Sequence, residues 1–308
     1  MKKTSKDTIL QEYKVSTPSE LLLFLVEKNV RKSRNAIKSL LAHKQIRVNG
    51  KLITQFDFKL DAGDVVLVMK FDQSRKEKKL KGATIVFEDE YIIVIDKDAG
   101  LLSVSTDKEK SKTAFSILNE YVRKSNKNAR VFVLHRLDRE MSGLMVFAKD
   151  QDTQALFQSA WDKIVKEYNF SAVVEGEVKS KEGIVKSWLT ENRNLVMQYS
   201  LTDNGGLEAE THYRLVKSAN RYSLLDLKLE TRRKNQARIH MKQIGHPIVG
   251  DKKYGAKNNP IKRIALHAQS MVVIHPITKE TIEMKSPVPR KMLDLLNQTD
   301  PKLTNKNI

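Results

Sequence analysis

Between Val133 and Asp150 the chain reads VLHRLDREMSGLMVFAKD: an apolar run, a polar turn and a second apolar run. The turn gathers His135, Arg136, Asp138, Arg139 and Glu140, and Ser142-Gly143 leads into Leu144-Met145-Val146-Phe147-Ala148. Positive charge beside a carboxylate favours its ionised form. An ionised Asp138 between Arg136 and Arg139 is suited to act as a nucleophile or an anionic base rather than as a proton donor. Taken alone, an Arg-Asp-Arg turn is more often a structural ion pair. A second charged cluster, from Thr231 to His240, follows an apolar strand-like run and holds four Arg or Lys residues and one His in ten, a candidate anion site.

Other chemistries find no support. With no cysteines, disulfides, thiolate catalysis and cysteine-held zinc or iron–sulfur centres are ruled out. None of the seven histidines sits in HExxH or another ligand spacing. GxSxG, GxGxxG and GxxxxGK[ST] do not occur, and no pair of carboxylates suggests a glycosidase dyad.

The elements that must position these residues are readable in outline. Two apolar runs, Ile85-Val86-Phe87 and Tyr91 to Ile95, form a hairpin-like pair that ends in the turn Lys97-Asp98-Ala99-Gly100. A helix is expected over 113–124. Another is expected over 153–167, where Leu156, Phe157, Ala160, Trp161, Ile164 and Val165 recur at helical spacing. It should end at Lys166-Glu167-Tyr168 and pass into a strand over 170–174. Antiparallel strands follow over 187–213 and 222–229. Upstream, 20–30 is an apolar helical run, and Ser33 can cap a second helix carrying Ala36, Ile37, Leu40 and Leu41 on one face. Asn49-Gly50 between Ile46-Arg47-Val48 and Lys51-Leu52-Ile53 is a strong hairpin signal. Another strand is expected over 64–69.

The 308 residues are comfortable for two domains, and no apolar stretch reaches 18 residues. The first residues are basic and lack the apolar core of a signal peptide. Together with the missing cysteines, this suggests a cytoplasmic protein. Of the net +19, residues 1–82 carry +10, from 19 basic and 9 acidic side chains. Such asymmetry suggests a basic module for a polyanion joined to a less basic body. Residues 71–82, FDQSRKEKKLKG, read as a charged linker.

The run from His135 closely resembles HRLDxxTSGLL, the signature of the RluA-type RNA pseudouridine synthases, in which the Asp is catalytic. Met141 stands where the family usually has Thr. Leu229, Thr231, Arg233, Gln236, Arg238 and His240 match LxTGRxHQIRxH, with Arg232 in place of Gly and Asn235 in place of His. Gly245 to Asp251 with Tyr254-Gly255 matches GHPxxGDxxYG, and Leu266-His267-Ala268 and His275-Pro276 match the last landmarks. Asp98 replaces the Pro of Lys-Pro-x-Gly. Upstream, SRNAIKSLLAHKQIRVNGKLI resembles the S4 RNA-binding domain.

This resemblance implies an α+β protein. A small S4 helix-hairpin domain with an N-terminal extension (1–70) and the linker (71–82) would precede a pseudouridine synthase domain (83–308) with a mixed, mostly antiparallel sheet flanked by helices. It implies Asp138 as the catalytic residue, Arg238 as its ion-pair partner and Tyr168 as the residue that stacks on the base and takes part in proton transfer. Arg136, Leu266 and Arg233 would bind substrate. Arg31, Lys32, Arg34, Lys38, Lys44 and Arg47 would form the RNA-binding face. The partner would be RNA, large-subunit ribosomal RNA first and tRNA next. The isomerisation neither adds nor removes a group, so no cofactor or metal is expected. A monomer without a required protein partner or membrane association is expected too. The rival is a non-catalytic RNA-binding or ribosome-assembly protein on the same scaffold, favoured by Met141, Asp98 and Arg232. A general polyanion binder explains the charge but none of the motifs.

Overall fold

In the computed structural model, residues 9–31, 34–42, 45–69, 77–106, 109, 111–219 and 221–297 are described. The fold is α+β, as expected. The N-terminal part has two short helices, Leu21–Glu27 and Arg34–Ala42, against a four-stranded sheet. In that sheet Val65–Met69 lies between Ile9–Lys14 and Ile46–Val48, and Lys51–Leu52 pairs with Ile46–Val48. The first of these strands, Ile9–Lys14, was not expected from its sequence. Leu21, Leu25, Ile37, Leu40, Ile46, Val66 and Val68 make one apolar cluster between helices and sheet. The hairpin turns at Asn49 (φ 51°) and Gly50 (φ 77°), a left-handed pair that Asn and Gly tolerate best. The Asn49 side chain donates to the Asp64 carboxylate at 2.7 Å and accepts from the Val65 amide, tying the turn to the next strand. Ser33, the expected helix cap, lies outside the described residues.

The larger part is built on a twelve-stranded mixed sheet. Its edge starts at Lys78–Leu80, paired with Ala83–Glu88, so the last part of the segment read as linker belongs to the sheet. Ile92–Lys97 and Ser142–Ala148 follow. Beyond them, Leu266–Ile274, Val165–Glu175, Tyr222–Leu229, Leu207–Ala219, Glu182–Glu191 and Met197–Ser200 run antiparallel to one another. Among the described strands, a single pairing is parallel: it joins Ser142–Ala148 to Leu266–Ile274, with Ser142 opposite His267 and Gly143 opposite Ala268. There the backbones approach so closely that a Cβ on Gly143 would stand 2.3 Å from the Ala268 carbonyl oxygen, and φ is +115°. Only glycine fits. Asp138 sits in the loop that enters this strand.

Three expectations need correction. The helix Gln151–Ile164 ends before Val165, and Tyr168 lies inside the strand Val165–Glu175. Pairing with Leu266–Ile274 claims those residues, overriding their helical spacing. The charged segment after Leu229 does not simply end a strand: Gln236–Gln243 is a helix whose N-cap, Asn235, is left-handed (φ 56°). Lastly, the strand before Asp138 is only Phe132–Val133.

Candidate active site

Asp138 is partly exposed, at 43% of its side chain, and its Oδ2 accepts a hydrogen bond from Arg238 Nη1 at 2.7 Å. Its sequence neighbours are not its partners. Arg136 is exposed, and Arg139 Nε donates to the Gly100 carbonyl at 3.1 Å. The positive charge beside the carboxylate thus comes from 100 residues further along the chain.

Arg238 is itself held from behind. Its Nε and Nη2 donate to Asp251 Oδ2 and Oδ1 at 2.7 and 2.8 Å, a bidentate pair with a carboxylate that is almost wholly buried. Nη1 also reaches Asn235 Oδ1 at 3.3 Å, and the guanidinium lies 4.9 Å over the Tyr254 ring. Burial works against its charge, but the hydrogen bonds and charges of Asp251 and Asp138 outweigh it and raise the pKa. Asp251 therefore makes Arg238 a fixed cation with one N–H group aimed at Asp138. Asn235 donates to the Tyr254 hydroxyl at 2.9 Å, and its left-handed backbone is one that Asn adopts more readily than most residues.

The rest of the charged motif fastens the Gln236–Gln243 helix to the sheet. Gln236 accepts from Thr231 Oγ1 and the Arg233 amide and donates to the Glu210 carbonyl and Thr211 Oγ1. His240 bridges Thr211 and Ser187, and burial lowers its pKa to about 4, so it is neutral.

One positioning residue was not singled out from sequence. Lys97 is fully buried (0% exposed), and its ammonium donates to the carbonyls of Met141 (2.7 Å), Leu101 (2.8 Å), Asp98 (3.1 Å) and Arg139 (3.5 Å). Burial, with Arg263 nearby, lowers its pKa to about 8. Lys97 ties the 98–101 turn to the loop after Asp138. Ser103 clamps the loop from the other side, donating to the Leu137 carbonyl and accepting from the Leu137 amide. Its sequence signal was a lysine ending an apolar strand. The departures at Asp98 and Met141 also fit. The Asp98 amide donates to Gly82 at 2.9 Å, a bond that proline could not make, and Met141 packs in the core.

Below the loop lies a buried polar chain. Arg263 Nη2 donates to Ser142 Oγ at 2.9 Å, and Ser142 Oγ contacts His267 Nδ1 at 2.8 Å. Ser286 donates to Asp96 at 2.6 Å. Burial, with a smaller effect of Arg263, lowers the His267 pKa to about 4, and burial raises that of Asp96.

Tyr168, expected to stack on the base, stands in an aromatic wall with His135, Trp161 and Phe170. His135 lies edge-on to Trp161 and Tyr168, at 5.2 and 5.3 Å between ring centres, and Tyr168 meets Phe170 at 4.6 Å. His135 Nε2 accepts the Val146 amide, and burial and then Arg232 lower its pKa to about 3, so the ring is neutral. The Tyr168 hydroxyl donates to the Leu144 carbonyl at 2.8 Å, and burial raises its pKa. Leu266 is buried at the start of its strand, opposite Ala172. Arg233 is drawn away, its Nε donating to the Glu208 carbonyl at 3.0 Å.

The expected RNA face is only partly described. Arg34 and Lys38 are exposed on one helix, with Lys38 5.8 Å over the Phe56 ring, and Arg47 reaches the Gly50 carbonyl at 3.5 Å. Arg31 pairs with Glu280, in the turn after the strand Leu266–Ile274. Lys32 and Lys44 lie outside the described residues.

Among the described residues, no group of three or more His, Cys, Asp or Glu side chains could hold a metal, and no helix is long and apolar enough to cross a membrane. The RNA pseudouridylate synthase family model matches residues 91–243, and the S4 domain model matches 21–66. Ribosomal large subunit pseudouridine synthase D of Buchnera aphidicola is 32% identical over 298 residues, covering 90% of each chain. YhcT of Bacillus subtilis, an uncharacterized RNA pseudouridine synthase, is 30% identical over 89% of this chain and 91% of its own. The fold matches human RNA pseudouridylate synthase domain containing 4, at a TM-score of 0.57 and 22% identity, over 69% of this chain and 91% of that one. With its site motifs, its fold and these relatives in agreement, the chain belongs to the RNA pseudouridine synthase family and carries an S4 domain at its N-terminal end.

Proposed function

We propose that this enzyme converts uridines of large-subunit ribosomal RNA to pseudouridine, with Asp138 as its catalytic carboxylate. The observation that carries the assignment is the 2.7 Å contact between Asp138 Oδ2 and Arg238 Nη1, with Arg238 fixed from behind by buried Asp251. The carboxylate is oriented through one oxygen, which leaves the other for the substrate. In the isomerisation the glycosidic C–N bond breaks, the uracil turns and a C–C bond forms to the same sugar. Three uses of the carboxylate meet this geometry: attack on C6 of the base, attack on C1′ of the ribose, or removal of a sugar proton. Each needs the uridine out of its stack. Arg136, exposed two residues before Asp138, is suited to fill the gap or hold the phosphate.

Leu266 and the ring of Tyr168 fit the role of base-pocket walls, and Arg233 that of a more distant RNA contact. For Tyr168, bonding of the hydroxyl to Leu144 favours stacking over proton transfer. Residues 1–70 would supply RNA affinity and 83–308 the chemistry, with the linker shortened by the strand Lys78–Leu80. The ribosomal substrate is suggested by relatives named for the large subunit, and such a substrate fits a cytoplasmic enzyme. Mapping pseudouridine in cellular RNA with and without the gene tests the substrate. A ribosomal pattern that does not change would refute it, and losses confined to tRNA would transfer the assignment there.

A further inference from the structure

Beside the aromatic wall stands a cation that the reaction leaves unused. The Arg232 guanidinium lies 5.3 Å over the Trp161 ring, and its Nη1 contacts Asp162 Oδ1 at 2.5 Å. Its side chain is 29% exposed and that of Asp162 is 89% exposed. Arg232 Nε is buried and makes no hydrogen bond. Trp161 and Asp162 directly follow Ala160, where the helix Gln151–Ile164 kinks (φ −143°, ψ 37°). The same Trp161 ring meets His135, three residues before Asp138. A continuous row of side chains therefore runs from the Asp138 loop through His135 and Trp161 to Arg232.

We propose that Arg232, backed by Trp161, is the seat for an RNA phosphate flanking the target uridine, and that Asp162 occupies this seat in the free enzyme as an exchangeable placeholder. This inference rests on the reading of Asp138 as the reaction centre. A guanidinium offers a planar fork that fits phosphate as it fits carboxylate. The aromatic face supports the guanidinium and shields one side of it from water. The face of Trp161 that a stacked base would need is taken by the guanidinium, which favours a phosphate over a base. The present partner is held weakly, because an ion pair with one side almost fully in water gains little.

The test uses an unmodified in vitro transcript of large-subunit ribosomal RNA, binding measured across a potassium chloride series, and turnover on the same transcript. Arg232→Gln should weaken binding about tenfold, the loss of a charge-assisted hydrogen bond. It should also reduce the slope of log affinity against log salt by about 0.7–0.9, one phosphate contact. KM should rise by more than kcat falls. Arg232→Lys keeps the charge and loses the fork, so it should keep the slope but not the full affinity. Asp162→Asn should tighten binding in wild type and have no effect in the Arg232→Gln background. An unchanged slope for Arg232→Gln, or equal tightening by Asp162→Asn in both backgrounds, would overturn the proposal, since long-range charge would then explain everything. Wild-type enzyme that leaves the transcript unmodified would refute the substrate reading alone, because the salt slopes still report on the seat.

Discussion

Replacing Lys97 by Met removes a buried cation from beneath the Asp138 loop and nearly preserves its volume. Two large effects then oppose one another. The fall of the Lys97 pKa from 10.5 to about 8 means that the folded chain disfavours the ammonium by about 3 kcal/mol at neutral pH, a cost the variant escapes. Against this, the Met141 and Leu101 carbonyls lose donors at 2.7 and 2.8 Å, at about 1–3 kcal/mol for each buried acceptor. Net stability at pH 7 should therefore move by no more than about 2–3 kcal/mol in either direction. Activity should not be spared. The loop after Asp138 loses its tether, and a displacement on the order of 1 Å costs about a hundredfold in rate. The pH dependence isolates the cause. The folded pKa is depressed, so the full penalty of burying the charge applies below about pH 8 and is relieved as pH rises toward 10.5, where the unfolded lysine also loses its proton. Wild type should therefore gain about 2 kcal/mol relative to Lys97→Met between pH 7 and pH 10, read from paired urea titrations. Turnover by the variant within twofold of wild type, or a stability difference that stays flat with pH, would refute the reasoning.

Other perturbations read other parts of the site. Asp138→Asn keeps the shape and removes the charge; pseudouridine formation should fall to background while RNA binding, measured by filter retention, is largely kept, and substantial turnover would place the reactive carboxylate elsewhere. Asp251→Ala leaves Arg238 without its buried partner, which should cost about 3–5 kcal/mol in chemical denaturation and most of the activity; an active variant of wild-type stability would contradict the clamp. Tyr168→Phe loses only the bond to Leu144, so it should lower stability by about 1 kcal/mol and activity by less than tenfold, whereas loss to background would restore a proton-transfer role. A chain starting at Glu77, which keeps the strand Lys78–Leu80, should fold and modify a concentrated RNA fragment with a shallower salt dependence than the full chain; an unchanged slope would mean that the N-terminal charge is only a solvated surface.

What the sequence could reveal was whatever local chemistry decides. The Asn49-Gly50 turn, the helix Ala114–Arg123 and the strand Val65–Met69 follow from turn residues, caps and periodicity, and the structure has them within a residue or two of expectation. The misplaced elements depend on distant partners. Nothing between Val165 and Tyr168 marks these residues as strand until Val272 and Met271 stand opposite Glu167 and Tyr168. The Gln236–Gln243 helix was missed because its first turn carries Arg238 and its buried face includes Gln236 and His240, polar residues that a hydrophobic pattern discards.

The same distinction separates the charges at the active site. Arg136 and Arg139 flank Asp138 in sequence, and proximity along the chain suggested them as its partners. Backbone direction sends Arg139 to Gly100, and the ion pair forms instead with Arg238, on the Gln236–Gln243 helix. A motif match identified Arg238 but gave no reason for its reliability as a cation. That reason lies in Asp251, which sequence presented only as the Asp of the GHPxxGDxxYG match. Because Asp251 takes the Nε and Nη2 edge, Arg238 is left with Nη1 to share between Asn235 and Asp138, and the Asp138 loop is held by Lys97 and Ser103 where that group reaches it. The geometry of the Asp138 carboxylate is thus set by four side chains from three separate segments, around 97–103, 238 and 251, of which a reading along the chain could connect only Arg238.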